Sequence, residues 1–108
     1  MNELKFAVLK QLNKGKSKAI TGSLIANRLG MRNDRSIRLA IRELIRDGIP
    51  IASSVKPPLG FFIAETKEEA EDYMSVLKGR LVEDALRRRD IKRATQKIRV
   101  PEQLVLIK

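Results

Sequence analysis

The chain has 108 residues, enough for one small domain with an extension, and carries 23 basic against 13 acidic residues for a net charge of +10. Its 43% hydrophobic content excludes a wholly disordered chain. With no cysteine and no histidine, disulfides, thiolate or imidazole metal sites, and Cys–His or Ser–His–Asp catalysis are excluded. No apolar run approaches ~18 residues, and Lys5 and Lys10 interrupt the first segment. Neither a membrane span nor a secretory leader is expected, and a cytoplasmic location is. The four aromatics, Phe6, Phe61, Phe62 and Tyr73, are too few for a single-strand stacking platform.

Leu4, Val8 and Leu12 follow helical spacing, so a first helix is expected from a cap at Asn2 to about Asn13. Lys14-Gly15-Lys16-Ser17-Lys18 reads as a loop. Its glycine spacing is not that of a phosphate-binding loop, and its lysines are either phosphate contacts or simply solvated. Thr21 caps a short second helix carrying Leu24, Ile25, Arg28 and Leu29, which Gly30 ends. Asn33 or Asp34 caps a third helix that stops at Gly48. Ile49 to Val55 and Phe61 to Ala64 read as two strands around the turn Lys56-Pro57-Pro58-Leu59-Gly60, with Pro50 suited to an edge. Thr66-Lys67-Glu68-Glu69 is a capping box opening a long helix to about Lys97. That helix is acidic in its first turns and basic later, the order its dipole prefers. The last apolar stretch, Leu104 to Ile107, has no evident role.

The positive charge is concentrated: residues 1–48 hold 11 basic and 4 acidic side chains. On a wheel of about 100° per residue, Ile37, Ala40, Ile41, Leu44 and Ile45 share one arc of the third helix. Arg35, Arg42 and Arg46 occupy the opposite side, with Arg38 on its shoulder. Arg38, Arg42 and Arg46 follow one another at spacings of four, and each such like-charge pair costs a few tenths of a kcal/mol, about 0.2–0.5. Only Glu43 and Asp47 lie near enough along the helix to offset them, so a phosphate backbone would relieve the repulsion. A short helix, a glycine-containing turn and an amphipathic second helix make a helix-turn-helix pattern, whose second helix enters the major groove N-terminal end first. The residues so placed are Arg32, Asn33, Asp34, Arg35, Ser36, Arg38 and Leu39. Arginine pairs bidentately with guanine and asparagine with adenine. Ser36 suits base or phosphate, and Arg42 a phosphate. Asp34 is better read as a cap than as a reader of cytosine. Leu39 meets a thymine methyl or covers a neighbouring helix.

Helix, helix-turn-helix and two strands in that order resemble a winged-helix domain, most nearly the DNA-binding domain of biotin-repressor-type proteins. The likeness rests on Ile20-Thr21, Ile25-Ala26, Leu29-Gly30-Met31, Ile41-Arg42-Glu43-Leu44, Arg46-Asp47-Gly48-Ile49-Pro50-Ile51 and Gly60-Phe61-Phe62-Ile63-Ala64, and covers about residues 3–65. It implies a wing lying over the sugar-phosphate backbone or minor groove, with Lys56 at its tip as a phosphate contact. Lys18 in the loop 14–18 is a further candidate contact, with solvation the equal alternative. The turn after Gly30 departs from the family's by one extra residue. No ligase or ligand-binding domain follows in residues 66–108, so regulation by biotin is not implied. Small prophage or bacterial regulators and modules of replication initiators look similar in plan.

In the long helix, Ala70, Tyr73, Met74, Leu77 and Leu81 form a stripe expected to pack on the wing and the first helix. At helical spacing the apolar positions then drift to Val82, Ala85 and Leu86, and on to Ile91 and Ile98. These later residues need another partner, and a second copy of the helix is the economical one. The expected organisation is mainly α with a small β-hairpin: a winged-helix unit over 1–65, a long C-terminal helix over 66–99 expected to form a homodimer that reads two half-sites, and a tail over 100–108. The expected function is sequence-specific binding of double-stranded DNA by a regulator or accessory factor, without catalysis, metal or cofactor. The alternative is a non-catalytic interaction module or replication-initiation component. A nuclease built on Glu68, Glu69, Glu71 and Asp72 is disfavoured, because their place in a helix's first turns already explains them.

Overall fold

A helical apolar stripe needs a surface to cover, and the first three helices cover one another. In a computed structural model, which describes residues 3–98, α1 spans Glu3–Gln11, α2 spans Gly22–Arg28 and α3 spans Arg35–Arg46. The Asn2 cap and the segment 100–108 lie outside the described residues. Val8, Ile25 and Ile37, one from each helix, are fully buried, each stabilising the fold by ~1.5–3 kcal/mol. Leu12, Ile20, Ala26, Ala40, Ile41, Leu44 and Ile51 complete the core. Ile45, expected on the buried arc of α3, is exposed instead. It sits at the arc's edge, where four neighbours already close the surface. Lys5 of α1 reaches Asp47 at the end of α3, Nζ to Oδ2 2.6 Å.

Both α2 and α3 end in the same way. After α2 the Met31 N–H donates to the Ala26 carbonyl at 2.8 Å and the Gly30 N–H to the Asn27 carbonyl at 3.2 Å. After α3 the Ile49 N–H donates to Leu44 at 3.0 Å and the Gly48 N–H to Ile45 at 3.0 Å. These paired bonds satisfy the last carbonyls, and Met31 and Ile49 fold back onto the core. Thr21 caps α2 as expected, its Oγ1 accepting from the Leu24 N–H at 3.1 Å.

Strands β1 (Ile51–Ser54) and β2 (Gly60–Ile63) pair antiparallel, Ile51 with Ile63, Ala52 with Phe62, Ser53 with Phe61 and Ser54 with Gly60. β1 is shorter than expected and β2 begins and ends one residue earlier; Pro50 lies just before β1, its carbonyl accepting from the Ala64 N–H at 2.8 Å. The segment between α1 and α2 covers the outer edge of β2. Ile20 and Phe61 exchange both backbone bonds, at 2.9 and 2.7 Å, and Ile63 bonds Gly15 and Asn13 at 2.9 and 2.8 Å. A single 3-10 turn, Lys16–Lys18, lies within that segment. By strand alternation Phe61 and Ile63 face the helical core while Phe62, also buried, takes the other face.

The fourth helix, α4, runs Lys67–Gln96. Its cap works on both sides. The Glu69 N–H donates to Thr66 Oγ1 at 3.1 Å, while the Glu69 carboxylate accepts from the Glu65 N–H at 2.8 Å and the Lys16 N–H at 3.0 Å. The box is thus displaced by one residue, and it ties the start of α4 to the 3-10 turn. These backbone donors, Glu65 first and then Lys16, hold the Glu69 carboxyl below its ordinary value of 4.5. A carboxyl lowered on folding contributes stability that is present above that ordinary value and lost as pH falls through the native one. We expect wild-type thermal stability to fall on acidification below pH ~4.5 more steeply than that of Glu69→Gln. Melting curves by circular dichroism between pH 3 and 7 check this.

The expected packing of the first α4 stripe on the hairpin and α1 is corrected. Ala70 and Tyr73 are half-buried, but Met74, Leu77 and Leu81 are exposed. The helical core, to which Val8 of α1 and Ile51 of β1 contribute, includes no residue of α4. The chain divides into two compact units between Met74 and Ser75. Among the described residues the protein is mainly helical, with four α-helices, one two-stranded antiparallel sheet and a long C-terminal helix. No described helix is long and apolar enough to cross a membrane.

Candidate nucleic-acid interface

With Ile37, Ala40, Ile41 and Leu44 turned inward, α3 presents the opposite side to solvent. Arg35, Arg42 and Arg46 lie along that side, spaced seven and four apart. All three are exposed, as are Arg32 and Asn33 in the preceding turn. None of the side chains of Arg32, Arg35, Arg42 and Arg46 makes an ion pair or hydrogen bond with another described residue. Among the described residues these four guanidinium groups have no neutralising carboxylate, and the mutual repulsion expected from their spacing is not relieved there.

Arg38 is different. Its Nε donates to Asp34 Oδ2 at 2.9 Å, and its guanidinium carbon stands 5.5 Å from the centroid of the Phe61 ring. It remains 62% exposed, so this is a surface pair of the kind worth ~1 kcal/mol or less. Its role in geometry is clearer: it holds the start of α3 against β2. Asp34, occupied in this way, makes no side-chain cap on α3. Asn33 does that work from one residue earlier, its Oδ1 accepting from the Arg35 N–H at 3.1 Å. Its carbonyl is thereby committed to the protein backbone.

Gly22 completes this junction. A Cβ there would come within 3.1 Å of Asp34 Oδ2 and 3.4 Å of Phe61 Cε2, so its bare backbone lets the beginnings of α2, α3 and β2 meet. Nothing in the hydrophobic pattern marks Gly22 or Phe61 for such a role. The signal that does exist is combinatorial, a small residue at a helix start beside an Asp and an aromatic brought in from elsewhere.

Ser36 is half-buried. With Leu4, Leu39, Ala40 and Glu43 it lines a shallow depression of about 200 Å³ between α1 and α3. It lies at the flank of the arginine face rather than its centre, and Leu39 is exposed beside it.

Lys56 is exposed at the tip of the hairpin. Its backbone is fixed by Ser54, the one buried polar residue among those described. Ser54 Oγ donates to the Lys56 carbonyl at 2.7 Å and accepts from the Lys56 N–H at 3.3 Å. Both halves of a hydroxyl's capacity are used, which orders the chain leading to the lysine. Lys18 is exposed on the 3-10 turn with Lys16. No group of three or more acidic or other metal-ligating side chains capable of holding a metal ion occurs among the described residues. The basic surface thus consists of α3 and its preceding turn, with separate lysines on the hairpin tip and the 3-10 turn. No protein-family model, curated protein or solved structure matches this chain.

Proposed function

We propose that this protein is a winged helix-turn-helix factor that binds double-stranded DNA, with α2 and α3 as the motif and the hairpin as its wing. One observation carries the reading: Arg32, Arg35, Arg42 and Arg46 are exposed on one side of the motif, and no carboxylate among the described residues pairs with them. A duplex supplies the missing counter-charge at one phosphate per ~1.7 Å of axis. The N-terminal end of α3 carries Arg35 toward base edges, and Arg42 and Arg46 follow along the helix toward the backbone. Arg38 and Asn33 assist mainly by fixing the start of α3. Lys56 and Lys18 add sequence-independent contacts. The protein acts by binding, as a regulator or accessory factor, and as a homodimer through α4. The reading of an interaction module is favoured only by the exposed apolar residues of α4.

A fluorescence titration of labelled random duplex tests the DNA reading. Binding at micromolar protein in low salt is expected, with log affinity falling linearly against log salt at a slope of about −0.9 per phosphate contacted. Absence of binding at ~100 μM protein in low salt, the weak end of the non-specific range of DNA-binding proteins, rejects it in favour of the interaction module. Selection from a random library is expected to recover a two-fold symmetric site.

A further inference from the structure

Five exposed apolar residues in and just after α4 share a spacing of seven. Met74, Leu77 and Leu81 begin a three-and-four alternation that continues through Asp84 and Arg88 to Ile91, Thr95 and Ile98. The five apolar members are from 43% to 71% exposed, so the seam is bare along its length. Its two charged members sit at the centre. Asp84 and Arg88 are four apart, yet they form no ion pair with each other or with any other described residue.

We propose that α4 pairs with α4 of a second copy as an antiparallel coiled coil centred on residue 86, in which Asp84 of each chain meets Arg88 of the other. This rests on the homodimer part of the reading above and adds its direction and register. The argument is charge complementarity. In a parallel, in-register pair each seam position faces its own copy, so Asp84 would stack on Asp84 and Arg88 on Arg88 at the least hydrated point of the interface. Reversing one helix about residue 86 sets Asp84 opposite Arg88 twice. The same reversal sets Leu81 opposite Ile91, Leu77 opposite Thr95 and Met74 opposite Ile98. Sliding by one heptad either way pairs Asp84 or Arg88 with an apolar or uncharged side chain and loses both ion pairs.

Thr95 fits an apolar layer because its hydroxyl is already satisfied: Oγ1 donates to the Ile91 carbonyl at 2.8 Å, leaving its methyl for the partner's leucine. The last layer, Met74 with Ile98, lies at the end of the pair, since the regular helix stops at Gln96. Val76, Val82 and Leu86 lie off the seam and stay outside the interface. At 1.5 Å per residue the two Met74 positions are ~36 Å apart along the pair, so the preceding residues of the two chains join from opposite ends.

The test uses the full chain, whose lack of native cysteine makes introduced thiols unambiguous. Sedimentation equilibrium of the wild type at 5–100 μM, a range of roughly micromolar affinity, is expected to show monomer and dimer. Leu81→Cys and Ile91→Cys chains are then equilibrated in a glutathione redox buffer, separately and mixed. The expected result is a disulfide dimer from the mixture, and little from either variant alone, because like positions lie ~15 Å apart along an antiparallel pair. Asp84→Arg is expected to weaken association at least tenfold, and Asp84→Arg with Arg88→Asp to restore it. A disulfide dimer from Leu81→Cys alone overturns the antiparallel arrangement while leaving the homodimer. A wild-type monomer throughout overturns both and leaves the DNA reading standing. Helicity by circular dichroism confirms that each variant is folded, and Leu86→Ser, off the seam, is expected to associate as wild type. Loss of association in Leu86→Ser but not in Leu81→Ser would place the interface on the other face and overturn the proposal.

Discussion

Gly60→Ala is expected to be the most damaging single substitution in the first unit, costing ~3–5 kcal/mol, a large share of the ~5–15 kcal/mol that holds a domain together. Two effects combine at this position. Gly60 has φ +124°, a conformation that costs a side-chain-bearing residue ~1–3 kcal/mol. A Cβ there would also fall 2.2 Å from the carbonyl carbon of Ile20 and 2.5 Å from the Thr21 nitrogen. Those atoms are backbone and cannot rotate aside. Relief requires pulling Ile20 away from Phe61, breaking the two bonds they exchange at 2.9 and 2.7 Å, each worth ~1 kcal/mol net. The cap on α2 at Thr21 lies in the same segment and would move with it. Urea unfolding followed by circular dichroism checks the expectation. Gly48→Ala is the informative comparison: its φ is +106° but a Cβ would meet nothing within 4 Å, so it isolates the conformational part, ~1–3 kcal/mol. If the two variants unfold at the same midpoint, the close approach at Gly60 is not the source of its cost.

Gly60 also shows what the sequence makes legible and what it does not. Phe61 to Ala64 is a short apolar run preceded by a proline-rich turn, so a strand is expected there. The close approach of Ile20, forty residues earlier, has no local signature, because it depends on where the α1–α2 segment lies against the sheet. The helices were readable for the same reason that the hairpin was: Thr21, Gly30 and Gly48 punctuate them, and burial of Ile37, Ala40, Ile41 and Leu44 follows from their spacing alone. Ile45 was misplaced because a wheel treats the edge of an arc like its middle. The stripe of α4 was misassigned because periodicity identifies an apolar face without naming what covers it.

The interface was legible to the same extent. Spacing put Arg35, Arg42 and Arg46 on the outer side of α3, and there they stand. Spacing does not tell a free guanidinium from an engaged one. Arg38 differs from Arg42 only through Asp34 and Phe61, and Asn33 differs from a free amide only through the Arg35 N–H. Ser54 carries no such signal, because a serine in a short strand reads as a solvated position, yet it is buried. Its burial comes from the return of the chain at Lys56.

Arg35→Ala and Arg42→Ala together are expected to raise Kd for a selected duplex by ~10²–10³, with distinct contributions from each. Arg35 stands at the first position of α3, where a bidentate contact with guanine is worth ~1–3 kcal/mol of discrimination. Its loss should weaken the selected site by about ten- to a hundredfold and relax preference at one base pair per half-site. Arg42, two turns along, is proposed to meet the phosphate backbone, so Arg42→Ala should weaken all duplexes alike and flatten the salt slope by ~1. Lys56→Ala should resemble Arg42→Ala. These side chains make no ion pair or hydrogen bond within the described residues, so removing them leaves no polar group orphaned and the melting temperature should stay near that of the wild type. Arg38→Ala should not share that neutrality, because it releases Asp34 and uncovers Phe61; a lowered melting temperature alongside weaker binding is its expected signature. Anisotropy titrations at several salt concentrations, paired with melting curves for each variant, separate these outcomes. If the double variant binds the selected duplex as tightly as the wild type does, α3 is not the element that reads DNA.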